Sequence, residues 1–226
     1  MKYLGYFAVG IVALVAVGVM TFWGGARMAL DRTYAHTEAT AQLPFFADAQ
    51  ADGIVRIATG RGEFRARVAG FNNGADRPLV VLLHGFPTTS VMWVDLIAPL
   101  AAAGYRVVAF DQRGYSPEVR PEAVDEYSVP RLVQDLFAVV DSVGGGQFHL
   151  VGHDWGAGVG WSAVLANPER ILSWTPLSIA HPSAFQAALE NDPEQQSKSG
   201  YFALFVTPSV PEILFSFNDF WALRGA

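Results

Sequence analysis

Val151-Gly152-His153-Asp154-Trp155-Gly156-Ala157 is the stretch that decides how this chain reads. An apolar strand begun at Phe148 runs into Gly-x-Asp-x-Gly and on into a helix of small residues, Gly156, Ala157, Gly158 and Gly160. A Gly-x-nucleophile-x-Gly turn between strand and helix is sharp and strained. It lifts its middle side chain above the sheet edge, and it needs glycine where backbones crowd. Serine at the centre would point to acyl transfer, whereas a carboxylate points to attack on an sp3 carbon through an ester with Asp154. At the first turn of a helix, Asp154 also gains about 0.3–1 kcal/mol from the helix dipole. Taken alone, the same residues read as an aspartate cap on an ordinary helix, so the rest of the chain must decide.

Working outward, strand and helix signals alternate. Ile54 to Ala58 and Glu63 to Ala69, separated by Thr-Gly-Arg-Gly, form a predicted hairpin. Leu79 to Leu83, introduced by Pro78, is a continuous apolar run, the mark of a strand covered on both faces. There follow a helix from Val94 to Ala103, a strand from Arg106 to Phe110, a helix from Pro130 to Val143 and a strand from Phe148 to Gly152. A helix from Gly156 to Asn167 and a strand from Ile171 to Ile179 complete the series. Ser128 stands where it can cap the second helix, Pro130 suits its first turn, and Gly144-Gly145-Gly146 ends it. This alternation predicts an α/β fold, a mostly parallel sheet with helices on both faces. Beyond His181-Pro182 the chain turns Gln-rich and then aromatic-rich, which predicts a separate lid.

The chain has 226 residues, 51% of them hydrophobic, and a formal charge of -6. That is enough to bury a sizeable core, and it offers no basic character for nucleic acid. The absence of cysteine excludes disulfides, thiolate catalysis and Cys-based metal sites, and leaves the redox compartment open. From Leu4 to Phe22 no residue is charged, a length that matches about 30 Å of hydrocarbon as a helix. We therefore expect a single-pass N-terminal membrane anchor, with a cleaved export signal or a buried core helix as alternatives. Tyr3, Tyr6, Phe22 and Trp23 suit an aromatic belt, while Lys2 against Arg27 and Arg32 is too even to fix sidedness. The expected organisation is an anchor over 1–25, a juxtamembrane linker over 26–50, an α/β core over 51–181 and a partial lid over 182–226.

Ligands of open α/β sheets bind beyond the carboxyl ends of the strands, and three loops lie at such ends. They are His84-Gly85-Phe86-Pro87, Asp111-Gln112-Arg113-Gly114-Tyr115-Ser116 and the Asp154 turn. With Gly152-His153-Asp154-Trp155-Gly156-Ala157 and His181-Pro182 they stand in an order that resembles the α/β-hydrolase superfamily, specifically its epoxide hydrolase branch. The resemblance runs from about Asp52 to Glu212 and implies the α/β-hydrolase fold with the start of a helical lid. It also implies Asp154 as nucleophile and the backbone N–H groups of Phe86 and Trp155 as the oxyanion hole, with His84, Gly85, Pro87, Gly152 and Gly156 supporting the motifs. Family members protonate the epoxide oxygen with lid tyrosines, and Tyr201, within Ser199-Gly200-Tyr201-Phe202, resembles the first of that pair. A phenol, with a pKa of about 10, can donate at neutral pH. The implied partner is a small hydrophobic epoxide or a related molecule, and no cofactor or metal is implied. His84 reads as a residue that shapes the oxyanion loop, His153 and His149 as structural, and Asp111 with Arg113 as a polar pair that stabilises a turn.

Hydrolysing an ester on Asp154 takes a water activated by histidine, itself oriented by a second carboxylate. The resemblance places both late in the family's chain, and after Asp154 this sequence offers only His181, at the lid entry. The expectation is a C-terminally truncated enzyme that lacks the late strands, the acid and the base, and reacts at most once. Two other readings stand beside it. A haloalkane or haloacid dehalogenase shares the aspartate nucleophile, and a non-catalytic membrane-tethered protein would keep the scaffold alone.

Overall fold

The computed structural model describes residues 39–48 and 52–220. These fall into a core unit within Thr37–Asn191 and a smaller unit that begins at Asp192. The core is built on one six-stranded sheet: β1 (Gly53–Thr59), β2 (Gly62–Ala69), β3 (Leu79–Leu83), β4 (Arg106–Phe110), β5 (Phe148–His153) and β6 (Ile171–Leu177). Its order is β1-β2-β4-β3-β5-β6. β1 and β2 form the expected antiparallel hairpin, β2 runs antiparallel to β4, and β4, β3, β5 and β6 are mutually parallel.

The apolar run Leu79–Leu83 sits at the centre of the sheet, wholly buried, because both of its faces are covered. Alternate residues serve opposite layers, as the period of a strand requires. Val80 and Leu82 join Val107 and Ala109 beneath Trp93 and Ile97, which bracket the start of α1 (Val94–Ala102). Leu79, Val81 and Leu83 face the other way, with Val108 and Phe110, toward α2 (Val129–Ser142) and α3 (Trp155–Ala166). Leu136, Val139 and Val140 of α2 and Val159 and Ala163 of α3 close that side. Each such side chain contributes about 1.5–3 kcal/mol by leaving water, so this layer carries much of the fold's stability. Ser128 takes the cap position of α2 without a side-chain hydrogen bond, and Gly144, at φ 69°, ends the helix as the sequence predicts.

Residues ahead of β1 also belong to the core. Thr40 is buried, Phe45 bridges to Arg56, and the Arg56 guanidinium lies 4.0 Å from the Phe45 ring centroid. At the far edge, β6 is half-exposed and leads into α4 (Pro182–Asn191). The smaller unit is helical: α5 (Pro193–Lys198), α6 (Phe202–Phe205) and α7 (Val210–Phe220). Asp192 caps α5 by accepting from the Glu194 N–H at 2.9 Å.

The expected membrane localisation is corrected by the structure. Among the described residues no helix is long and apolar enough to cross a membrane. The longest of those helices, α2, has 14 residues and so extends about 21 Å against roughly 30 Å of hydrocarbon. The segment Leu4 to Phe22, which motivated both the anchor and the membrane as partner, lies outside the described residues.

A buried charge cluster fixes the loop after β4. Asp135 of α2 accepts Arg113 Nε at 2.6 Å and Nη2 at 2.8 Å, and Arg61 Nε from the hairpin turn at 2.6 Å. Arg113 is therefore partnered with Asp135, and with Glu126 at 3.5 Å, rather than with Asp111, whose oxygens are taken by Arg65 and the Ser90 N–H. Removing one member of a buried cluster leaves its partners charged and unpaired. Asp135→Ala is expected to lower the unfolding free energy by about 3–5 kcal/mol, read as a fall in the urea midpoint; a change within about 0.5 kcal/mol, the usual surface effect, would show the cluster to be idle.

Candidate active site

The chain leaves β3 toward β4 on one side, and β5 lies on the other, so the carboxyl end of β3 is a topological switch point of the sheet. Leu83 pairs with Gly152 in the β3–β5 register. The next residues of each strand, His84-Gly85-Phe86 and His153-Asp154, therefore emerge side by side. Asp154 sits at φ 53°, ψ −120°, a region that side chains rarely occupy. Its carbonyl accepts from the Ala157 and Gly158 N–H groups and starts α3, while its own N–H donates to the Leu177 carbonyl at the end of β6.

Glycine is required at this turn because backbones converge there. A Cβ on Gly156 would fall on the Leu83 carbonyl oxygen, and one on Gly152 would stand 2.5 Å from the Gly156 carbonyl oxygen. Across the gap, a Cβ on Gly85 would stand 2.7 Å from Asp154 Oδ1. The His84–Pro87 loop can thus lie directly against the carboxylate, and Phe86 N–H donates to Asp154 Oδ1 at 2.9 Å. The Phe86-Pro87 peptide is cis. Trp155 is the first residue of α3, so its N–H has no acceptor within the helix, and its side chain is exposed.

Behind the loop, His84 is wholly buried. Gln112 N–H donates to His84 Nε2 at 3.0 Å, and a backbone amide can only donate, so the ring proton is on Nδ1, 3.1 Å from the Gly85 carbonyl. Burial pushes His84 below its usual pKa, against the opposing pull of the Gly85 carbonyl and the Asp111 charge, which favours this neutral form. Asp111, also buried, accepts Ser90 N–H at 2.7 Å and Arg65 Nε at 2.5 Å. Tyr115 packs edge-on against His84 with centroids 4.7 Å apart. Its phenol is pushed up to about 12, first by burial and then by the charge of Asp154. Sequence reasoning quoted Tyr115 only as part of a motif. Its position in a loop at a strand end was the available signal.

The structure brings together Asp154, Phe86, Trp155, His84 and Gly85, with Pro87 following in the same loop. Tyr201 lies in the smaller unit at the start of α6, exposed, its ring 4.6 Å from Phe202 and 5.9 Å from Phe205. Four histidines are described, and none hydrogen-bonds a carboxylate. His84 is held as above, His149 meets Ser173 at 2.7 Å, His181 meets Ser183 at 2.8 Å, and buried His153 Nδ1 has no partner among the described residues. Among those residues no cluster of three or more His, Asp or Glu side chains is arranged to hold a metal ion. A groove of about 850 Å³ between α2 and α3, lined by Phe137, Ser162 and Arg170 among others, includes no residue of the Asp154 turn.

A family model described as alpha/beta hydrolase fold matches residues 78–209. An AB hydrolase superfamily protein of Bacillus subtilis is 38% identical over 151 residues, covering 67% of this chain and 53% of that protein. Epoxide hydrolase A of Mycobacterium tuberculosis is 39% identical over 139 residues, covering 60% of this chain and 42% of that protein. A solved epoxide hydrolase from Bacillus megaterium, bound to its diol product, superposes with a TM-score of 0.67 at 29% identity, over 75% of this chain and 57% of that one. The chain spans about half the length of the curated relatives it matches. The parallel sheet, the Asp154 turn at its switch point and a family match over more than half of the residues place this chain in the alpha/beta hydrolase fold family, with epoxide hydrolases among its curated and structural neighbours.

Proposed function

We propose that this chain carries the nucleophilic half of an epoxide hydrolase, with Asp154 as the group that opens the ring. The observation that carries the reading is the Phe86 N–H held on Asp154 Oδ1 at 2.9 Å. With Oδ1 engaged, Oδ2 is the oxygen free to attack an epoxide carbon. The new C–O bond forms as the ring C–O bond breaks, and the ring oxygen takes a proton from a phenol, for which Tyr201 is the candidate. The product is a hydroxyalkyl ester of Asp154.

Breaking that ester requires water to add to its carbonyl carbon. The tetrahedral oxyanion so formed would rest on the Phe86 and Trp155 N–H groups, each such donor being worth about 2.7–4 kcal/mol. The water must lose a proton to a base, and the described histidines have other partners or none. Small epoxides are the substrate class we assign, as the epoxide hydrolases among its relatives support, and the exposed Trp155 next to Asp154 favours a hydrophobic one.

Two outcomes are expected. Styrene oxide incubated with the 226-residue chain should add one equivalent to the Asp154 peptide, detected by intact-mass and peptide analysis, and Asp154→Asn should remain unmodified. Sustained diol production would refute the single-turnover expectation, and labelling elsewhere would refute Asp154 as nucleophile. Tyr201→Phe should slow ester formation by about 10²–10⁴-fold, the usual contribution of a positioned acid, and an unchanged rate would remove Tyr201 from this role.

A further inference from the structure

The Phe86 N–H and the Gly85 carbonyl belong to one peptide group, which is planar, so whatever fixes the carbonyl also aims the amide. The Gly85 carbonyl faces the His84 ring, whose Nδ1–H donates to it at 3.1 Å, and it also accepts Thr88 N–H at 3.1 Å. The opposite edge of the ring is fixed in turn by Gln112 N–H on Nε2 at 3.0 Å. Gln112 then closes the circuit, because its side-chain Nε2 donates to the His84 carbonyl at 2.5 Å. The far end of the loop is held from the same strand end, by Asp111 on Ser90 N–H at 2.7 Å. Every link is buried or part-buried, and in so low a dielectric successive hydrogen bonds polarise one another.

We infer that His84, locked by Gln112, is a positioning residue: a relay running Gln112 N–H to His84 Nε2, and His84 Nδ1–H to the Gly85 carbonyl, turns the Gly85–Phe86 peptide plane so that Phe86 N–H points at Asp154. His84 itself touches no reacting atom and transfers no proton. The relay works only with a neutral ring carrying its proton on Nδ1, since either the other tautomer or the imidazolium would set an N–H against Gln112 N–H. The role rests on the reading of Asp154 as nucleophile, but its geometry can be tested separately.

The full chain is compared with His84→Phe, which keeps a flat ring but makes neither hydrogen bond, and with His84→Asn, whose short amide can still donate to the Gly85 carbonyl. Two quantities are read: hydrogen exchange at the Phe86 amide, and the rate of ester formation on Asp154 with styrene oxide. His84→Phe is expected to exchange the Phe86 amide at least about tenfold faster and to form the ester about 10–100-fold more slowly, the scale set by misplacing a reacting group by about 1 Å. His84→Asn should recover most of both. If His84→Phe does not fold, Gln112→Met, which keeps the backbone N–H on His84 Nε2 but removes the side-chain bond to the His84 carbonyl, frees the residue that carries the ring and is read in the same way, with smaller shifts expected in the same direction. Unchanged exchange at Phe86, or His84→Asn performing no better than His84→Phe, overturns the relay. Loss of Phe86 protection in a chain whose wild type forms no ester would uphold the relay and refute Asp154 as nucleophile instead.

Discussion

The approach of α3 to the end of β3 is the constraint on which the rest of the site depends. Gly156 lies so close to the Leu83 carbonyl that no side chain fits between them. This seats the first turn of α3 on the central strand and leaves the chain one residue in which to turn from β5 into the helix. That residue is Asp154, and the sharpness of the turn forces its backbone to φ 53°. The position of the carboxylate, its contact with Phe86 N–H and the placing of Trp155 N–H at the open end of the helix all follow from a missing Cβ.

Charge serves placement rather than stability in this core. Arg65 with Asp111, and Arg61 and Arg113 with Asp135, are buried or nearly so, and such groups gain little net free energy over apolar replacements. What they supply is direction. Asp111 connects β2 to the start of the helical turn at Ser90, and Arg113 connects the same strand end to α2. The loop behind the Phe86 N–H is thereby held from several sides by geometrically specific bonds.

Much of this was legible in the sequence where the signal is contiguous. The uninterrupted apolar run Leu79–Leu83 marked the central strand, and the Gly-x-Asp-x-Gly turn marked the site, because in each case neighbouring residues carry the whole physical requirement. The partners of Asp111 and Arg113 were not legible. Arg65 and Asp135 lie 46 and 22 residues away, and only the β2–β4 pairing and the packing of α2 bring them in. The same holds for Thr40, buried against the core from a stretch with no periodicity of its own. Tyr115 escaped notice because a tyrosine in a turn has no local signature distinguishing a packed ring from one that senses the carboxylate. The uncharged N-terminal segment invited a membrane reading from composition alone, and no helix among the described residues supports it.

The backbone of Asp154 has a consequence for the stability of the turn. At φ 53°, ψ −120° any side chain costs about 1–3 kcal/mol relative to the glycine that this region favours. Asp154→Gly would relieve that backbone cost, while giving up the helix-dipole gain and leaving the Phe86 N–H without its acceptor. An aspartate at that place stands against the local preference of the backbone, and its carboxylate is held there by the contact across the gap.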